Sequence, residues 1–221
     1  MFDLTLTFDN GPEPDVTPRV LEILRERDIK ATFFVIGEKL GDAARRRLAA
    51  RAHDEGHWIG NHTFTHSVPL GEQQDADTAE KEIGRTQAAI GDLAHAQRWF
   101  RPFGGGGNLD ARLLKPSVVD YLTGHQHSCV LWNAIPRDWD DPDGWIERAL
   151  QQCRSQPWSV MVLHDLPTGA MDHLERFLDR VSELDARFHQ DFPLDCVPIR
   201  SGTIVRPIEP YVSSIEESVR A

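Results

Sequence analysis

Cysteine is scarce in this chain, with three among 221 residues. Cys129, Cys153 and Cys196 are odd in number, far apart and in no paired motif, which excludes a disulfide framework or thiolate metal site and predicts reduced thiols. Basic charge is short as well. Lys and Arg number 24 against 35 Asp and Glu, and the formal net charge of −11 would repel nucleic acid and an anionic membrane surface. No apolar run approaches the roughly 18 residues that a spanning helix needs. The N-terminus enters an alternating segment at once, with no basic stretch leading an apolar one, which predicts no signal peptide and a cytoplasmic setting. No linker, internal repeat or low-complexity tract beyond Gly104 to Gly107 divides the chain, so residues 1–221 read as a single domain with one large core. Those glycines are followed by no Lys-Ser/Thr and form no GxGxxG, and a GxSxG elbow is lacking, so nucleotide-binding and serine-hydrolase readings fall away.

What is present begins with Phe2, Leu4, Leu6 and Phe8 alternating with Asp3, Thr5, Thr7 and Asp9, a strand with one apolar face that Gly11-Pro12 ends abruptly. Thr17-Pro18 starts a helix, Thr as cap and Pro at the first helical position, and Val20, Leu21, Ile23 and Leu24 form its apolar stripe. Further strands are expected at 31–36, 58–60, 98–101, 129–132, 160–163 and near 197–205. Helices are expected at 42–53, 72–93, 145–153 and 171–189, with a broken helical region over 109–122 that Pro116 interrupts. Strands alternating with helices imply right-handed crossovers and a parallel sheet covered by helices. About seven such units suit a distorted or incomplete (β/α) barrel better than an eightfold one, which usually needs about 250 residues. A doubly wound open sheet is the alternative architecture.

The chemistry-bearing residues gather at the carboxyl ends of these strands. Asp9 ends the first strand beside Asn10, although an Asp-Asn pair also makes an ordinary turn. His62 and His66, four residues apart, follow the third, and two imidazoles at that spacing can converge on zinc or its neighbours. Ten histidines will generate some chance pairs, and His125/His127 is a mild rival. Arg101 ends a fourth strand, where a guanidinium can hold a carboxylate through two hydrogen bonds. Asp138-Trp139 follows a fifth and Leu163-His164 closes a sixth, where a histidine titrating near neutrality can serve as general acid. Any one of these has a bland reading as a loop residue or structural ion pair. Together they would meet at one rim of a barrel.

The order of these segments resembles the polysaccharide deacetylase (NodB homology) domain of carbohydrate esterase family 4. That family carries a T-F-D-D-G-P segment, an H-[ST]-x-x-H segment, an arginine-proline-aromatic segment, a D-W segment and a late leucine-histidine segment. Here they stand in order as Thr7–Pro12, His62–His66, Arg101–Phe103, Asp138–Trp139 and Leu163-His164. The resemblance implies a distorted (β/α) barrel and a metal-dependent hydrolase of N-acyl amino sugars. It further implies Asp9 as base, oriented by Arg101, and Asn10, His62 and His66 at the metal-ligand positions. It implies His164 as acid tuned by Asp138, an oxyanion donor in the backbone near Phe103, and Trp139 and Leu163 walling the substrate groove. The metal would be divalent, zinc first, with cobalt or nickel as alternatives.

One departure matters. Asn10 stands where the family has a second aspartate, and a neutral amide oxygen is a weaker zinc ligand than a carboxylate. Three functions are therefore carried forward. The first is a metal-dependent de-N-acylase of an amino sugar or oligosaccharide. The second is a C–N hydrolase of a small amide, formamide or ureide, able to work without metal. The third is a degenerate carbohydrate-binding domain. Metal content and acetate release separate the first from the others.

Overall fold

The computed structural model describes residues 1–214, so the end of the expected 1–221 unit lies outside the described residues. Its spine is β1 (Phe2–Asp9), in the predicted position. The chain continues through α1 (Thr17–Glu26), β2 (Thr32–Val35), α2 (Ala43–Asp54), β3 (Trp58–Asn61), α3 (Arg85–Ile90), β4 (Trp99–Phe100) and α4 (Pro116–Gly124). It then forms β5 (Ser128–Cys129), α5 (Trp145–Arg154), β6 (Trp158–His164), α6 (Leu174–Glu183), β7 (Ala186–His189), β8 (Ile199–Arg200) and β9 (Thr203–Ile204).

The sheet runs β6-β1-β2-β3-β4-β5-β8-β9, with β7 beside β1. β1 carries β6 along one edge, over Asp3–Asp9. Its other edge is shared between β2 at Thr7–Asp9 and β7 at Phe2–Thr5. β1 to β7 pair in parallel; the seventh expected strand, near 197–205, is instead the antiparallel hairpin of β8 and β9, and β7 falls where a helix was expected. Closure comes from a single parallel bridge between Ala134 and Met161, which returns the chain after β5 to β6. The Ala134 carbonyl accepts from Val162 N at 2.9 Å, and Ala134 N donates to the Val160 carbonyl at 3.2 Å. The structure is therefore a short, distorted barrel, and the open-sheet alternative is excluded.

Strand alternation sorts the side chains into layers. From β1, Leu4, Leu6 and Phe8 face outward into a core with Val20, Leu21 and Leu24 of α1, Trp145 of α5 and Phe177 of α6. Burying each such side chain stabilises the fold by about 1.5–3 kcal/mol. A second core packs α4 against Phe100 and Cys129. Inside the barrel, Phe34, Trp99, Val130, Val160 and Phe192 form an apolar floor. Thr7 and Arg101 lie above that floor, with Asp9, His62 and His164 at the rim.

Several local expectations are corrected. Thr17 does not cap α1; Val16 holds the cap position, and Thr17 Oγ1 accepts from Glu13 N and donates to Asp165. The helix expected over 72–93 starts only at Thr78 and runs through a π turn over Glu80–Gly84 into α3. Before it, the Asp75 and Gln73 carbonyls accept from the Lys115 ammonium, and the Asp75 carbonyl also accepts from Thr78 N at 3.2 Å and Thr78 Oγ1 at 2.6 Å. Pro116 begins α4 at its first turn instead of interrupting a helix. The helix expected to reach His189 stops at Glu183. Asp185 adopts φ +56°, and the segment after it pairs with the edge of β1 that β2 leaves open. Among the described residues no helix is long and apolar enough to cross a membrane.

Candidate active site

Asp9 and His164 are register partners on neighbouring parallel strands, so their side chains emerge side by side into the barrel mouth. Asp9 is buried, and its Oδ1 accepts from Arg101 Nη1 at 2.8 Å. Arg101 is fully buried. Its Nη1 also donates to Thr7 Oγ1 at 2.6 Å, its other nitrogens reach the Val130 and Leu131 carbonyls at 3.4 Å, and its guanidinium lies 4.1 Å from the centre of the Phe34 ring. The contact to Asp9 is through a single nitrogen, because Thr7 and the two carbonyls take the rest of the fork. A charge this deep survives only with such pairing, since removing it from water costs several kcal/mol.

Asp138 clamps His164 at two points. Its Oδ1 lies 2.8 Å from His164 Nδ1, and its Oδ2 accepts from His164 N at 2.8 Å. This fixes the ring and leaves Nε2 toward the cavity. Burial alone would lower the His164 pKa, but the hydrogen bond and charge of Asp138, with Asp9 and Asp165 nearby, outweigh it and raise the pKa above 6.5. Trp139 meets the His164 ring edge-on at 4.8 Å.

Opposite stand the two imidazoles. His62 Nδ1 donates to the Arg101 carbonyl at 2.9 Å, so its Nε2 carries a free lone pair, 3.6 Å from Asp9 Oδ2. Burial first pushes the His62 pKa down to about 3, and burial and then His62 do the same to His66, so both rings are neutral. Their centroids are 4.7 Å apart, and the His66 ring lies 4.1 Å from that of Phe103. Asn10 adopts φ +75° and its Oδ1 is buried with no hydrogen-bond partner among the described residues, while its carbonyl accepts from Lys39 Nζ at 2.7 Å.

Among the described residues no three His, Cys, Asp or Glu side chains converge as a metal cage. The donor set is instead two neutral imidazoles and one amide oxygen. That set fits a divalent ion: Asn10 brings an orphaned buried oxygen and His62 a free Nε2 lone pair, and both line one cavity with the neutral His66 ring. An amide in place of a carboxylate leaves the set weaker and less negative.

These groups open into one cavity of about 250 Å³. Asp9, Asn10, His62, His66, Phe103, Trp139 and His164 line it, as the sequence pattern anticipates. Arg101 and Asp138 stand behind them, holding Asp9 and His164. Leu163 is the exception. Opposite Phe8 in the register, it faces outward into the core under the helices, and Val162 and Leu166 line the cavity instead. Trp132 also lines it, its indole N–H donating to the Gly107 carbonyl at 3.2 Å. Of the four rim glycines two are close-packed: a Cβ on Gly104 would come within 2.5 Å of the Trp132 ring and one on Gly107 within 2.7 Å of Ile135, whereas Gly105 and Gly106 meet nothing nearer than 3.5 Å. His125 and His127 lie elsewhere, each with Nδ1 at a backbone carbonyl, in a separate groove with Tyr121.

Two buried carboxyls escape sequence reasoning. Asp165 is fully buried, and burial pushes its pKa up to about 7; one oxygen accepts from Thr17 and the other has no partner among the described residues. Its carboxyl packs so closely on Gly11 that a Cβ there would approach within 2.2 Å. Glu82 reaches from the π turn to the loop between the two histidines. An Asp directly after His164 is a faint signal for the first; nothing in an ordinary polar helix marks the second.

Comparison with known proteins accords with this geometry. Residues 3–117 match the polysaccharide deacetylase family profile. A chitooligosaccharide deacetylase of Rhizobium leguminosarum bv. phaseoli is 35% identical over 168 residues, covering 73% of this chain and 67% of that protein. A peptidoglycan-N-acetylglucosamine deacetylase of Bacillus cereus is 29% identical over 191 residues, covering 84% and 66%. The chain thus spans about two thirds of the length of these relatives. A family 4 acetyl xylan esterase from Clostridium thermocellum, solved with a cobalt ion, superposes with a TM-score of 0.68 at 25% identity, covering 85% of this chain and 87% of that one. This chain belongs to the polysaccharide deacetylase family, the hydrolases of carbohydrate esterase family 4.

Proposed function

We propose that the chain hydrolyses the N-acetyl group of an amino sugar or oligosaccharide. The observation that carries this reading is the pairing of two differently prepared groups on adjacent strand ends: Asp9 on Arg101, and His164 on Asp138. The names of the relatives, deacetylases of chitooligosaccharides and of peptidoglycan N-acetylglucosamine, support the same class of substrate. A divalent ion, zinc first and cobalt or nickel as alternatives, would be held by His62, His66 and the Asn10 amide oxygen, and would supply Lewis acidity toward the amide carbonyl.

The chain's own groups do the rest. Asp9, aligned by Arg101, takes a proton from the attacking water. The Phe103 backbone N–H donates to the oxyanion as the carbonyl becomes tetrahedral, a contribution of roughly 3 kcal/mol per donor. His164 delivers its Nε2 proton to the leaving nitrogen, which departs as a free amine with acetate as co-product. Asp138 holds the ring throughout. Trp139 and Trp132 wall the sugar and limit water at the reacting centre.

A second reading, a C–N hydrolase of small amides, draws support from the cavity volume, about 250 Å³, below the roughly 300–1,000 Å³ of most ligand pockets. Acetate release from N-acetylglucosamine oligomers, beside release of amine from monomeric amides, separates the two. Asp9→Asn and His164→Ala should each lower acetate release by about 100-fold or more, the usual scale of general acid–base catalysis. Undiminished turnover in either variant sinks the proposal.

A further inference from the structure

The loop that carries the two imidazoles makes left-handed turns at Thr63 (φ +66°) and His66 (φ +52°), neither of them glycine. Such backbone is unfavourable, above all for a β-branched residue such as Thr63, and persists only when its surroundings hold it. The π turn Glu80–Gly84 supplies that hold. The buried Glu82 carboxylate accepts from Phe64 N and Thr65 N, both 2.9 Å from Oε2, and from Thr65 Oγ1, 2.8 Å from Oε1. The next residue, Ile83, offers its carbonyl to Asn61 Nδ2 at 2.9 Å, and Asn61 Oδ1 in turn accepts from Thr63 N at 3.1 Å. On the far side, Gly37 N and Glu38 N donate to the Thr63 and Phe64 carbonyls at 2.9 and 3.1 Å. The loop is clamped between two elements, and the wider π turn brings Glu82 and the Ile83 carbonyl to it together. π turns of this kind frequently mark functional sites.

We propose that Glu82 is a positioning residue of this site: its carboxylate fixes the Thr63–His66 loop so that the His66 imidazole stands beside His62, without itself touching substrate or ion. The inference rests on reading His62 and His66 as metal donors. Its logic is that of outer-shell groups, which orient ligands and whose loss typically weakens metal binding 10–100-fold. The contact pattern also predicts which replacement succeeds. Glutamine can present one oxygen to both N–H groups and its NH₂ to the Thr65 hydroxyl, so hydrogen bonding and not charge should be what matters.

The test is a Co²⁺ titration followed by visible absorbance, with hydrogen exchange of the Phe64 and Thr65 amides and NMR of the His66 ring. Glu82→Met should weaken Co²⁺ binding roughly 10–100-fold and accelerate exchange at both amides. Glu82→Gln should stay within about threefold of the parent on both counts, because its hydrogen bonds survive. Thr65→Ala removes one bond of three from an exposed residue, and a loss of about threefold is expected. If Glu82→Met does not fold, that variant carries the test, and unchanged affinity in it overturns the proposal. So does Co²⁺ binding in Glu82→Met as tight as in the parent, or glutamine failing as badly as methionine. A parent protein that takes up no Co²⁺ sinks the metal reading alone. The clamp is then judged on the NMR signals, and an unmoved His66 ring in Glu82→Met overturns it.

Discussion

The two walls of the cavity are satisfied to different degrees. On the wall formed by β1 and β6, Asp9 has Arg101, Arg101 has Thr7 and two carbonyls, and His164 has both oxygens of Asp138. The proposed donor wall, with His62 after β3 and Asn10 reaching it from the end of β1, is less satisfied: His62 has an open Nε2 and Asn10 an orphaned amide oxygen. The groups proposed for proton transfer are thus held by the fold alone, whereas the proposed donor wall presents unpartnered acceptors, which suit a cation. The difference separates two properties that fail independently: geometry of proton transfer, and affinity for the ion.

Breaking the first wall should have the largest effect. Arg101→Met leaves the Asp9 carboxylate buried without its cation, and such half-removed pairs cost about 3–5 kcal/mol. Urea unfolding of the variant should fall short of the parent by that amount, and acetate release should collapse with it. Arg101→Lys keeps the charge but cannot reach Asp9, Thr7 and the two carbonyls at once, so an intermediate loss is expected. A variant as stable as the parent would mean that Asp9 finds other company.

The comparison also explains what could be read in advance. The first wall was legible because β1 alternates cleanly, and the same parity, carried to β6, would have turned Leu163 outward once His164 faced in. Where strands shrink to two residues, as at β4 and β5, the sequence pattern still located Arg101 and Asp138 because the turns after those strands carry them. The second wall was legible only in its proposed ligands. Its support comes from a π turn inside what reads as one uniform polar helix from Glu72 to Leu93. Periodicity carries no trace of an inserted residue, or of Lys115 holding the Gln73 and Asp75 carbonyls. Asp165 was missed for a related reason: its unpaired burial is a property of packing against Gly11 and Thr17, which lie far away in sequence.

Sharpening the second wall comes next in size. Asn10→Asp converts an orphaned amide oxygen into a carboxylate beside two neutral imidazoles, so divalent-ion affinity should rise by roughly 10–100-fold, the scale of changes around metal ligands. Isothermal titration with Zn²⁺ and Co²⁺ measures it. Unchanged affinity would mean that the amide is not a ligand and that the two imidazoles act with water. Asp9 and Arg101 should keep their contact, so a rise in turnover without a rise in affinity would count against the separation of the two walls.

The smallest effect is the most specific to the acid. Raised above 6.5, the His164 pKa means that the folded protein holds this proton more tightly than the unfolded chain does. The resulting stabilisation is complete below about pH 6.5, the ordinary histidine value, and is lost as pH rises through the higher folded value. The turnover profile should follow the same proton, with an alkaline limb above 6.5, because the acid must be charged to donate. Asp138→Asn keeps the size of the side chain but removes its charge and one of the two acceptors on His164, leaving burial as the dominant influence, and burial lowers a histidine pKa. The alkaline limb of kcat should then move to the acid side by about one unit or more. An unshifted limb in Asp138→Asn would show that it belongs to another group, and His164 would lose its role as the acid.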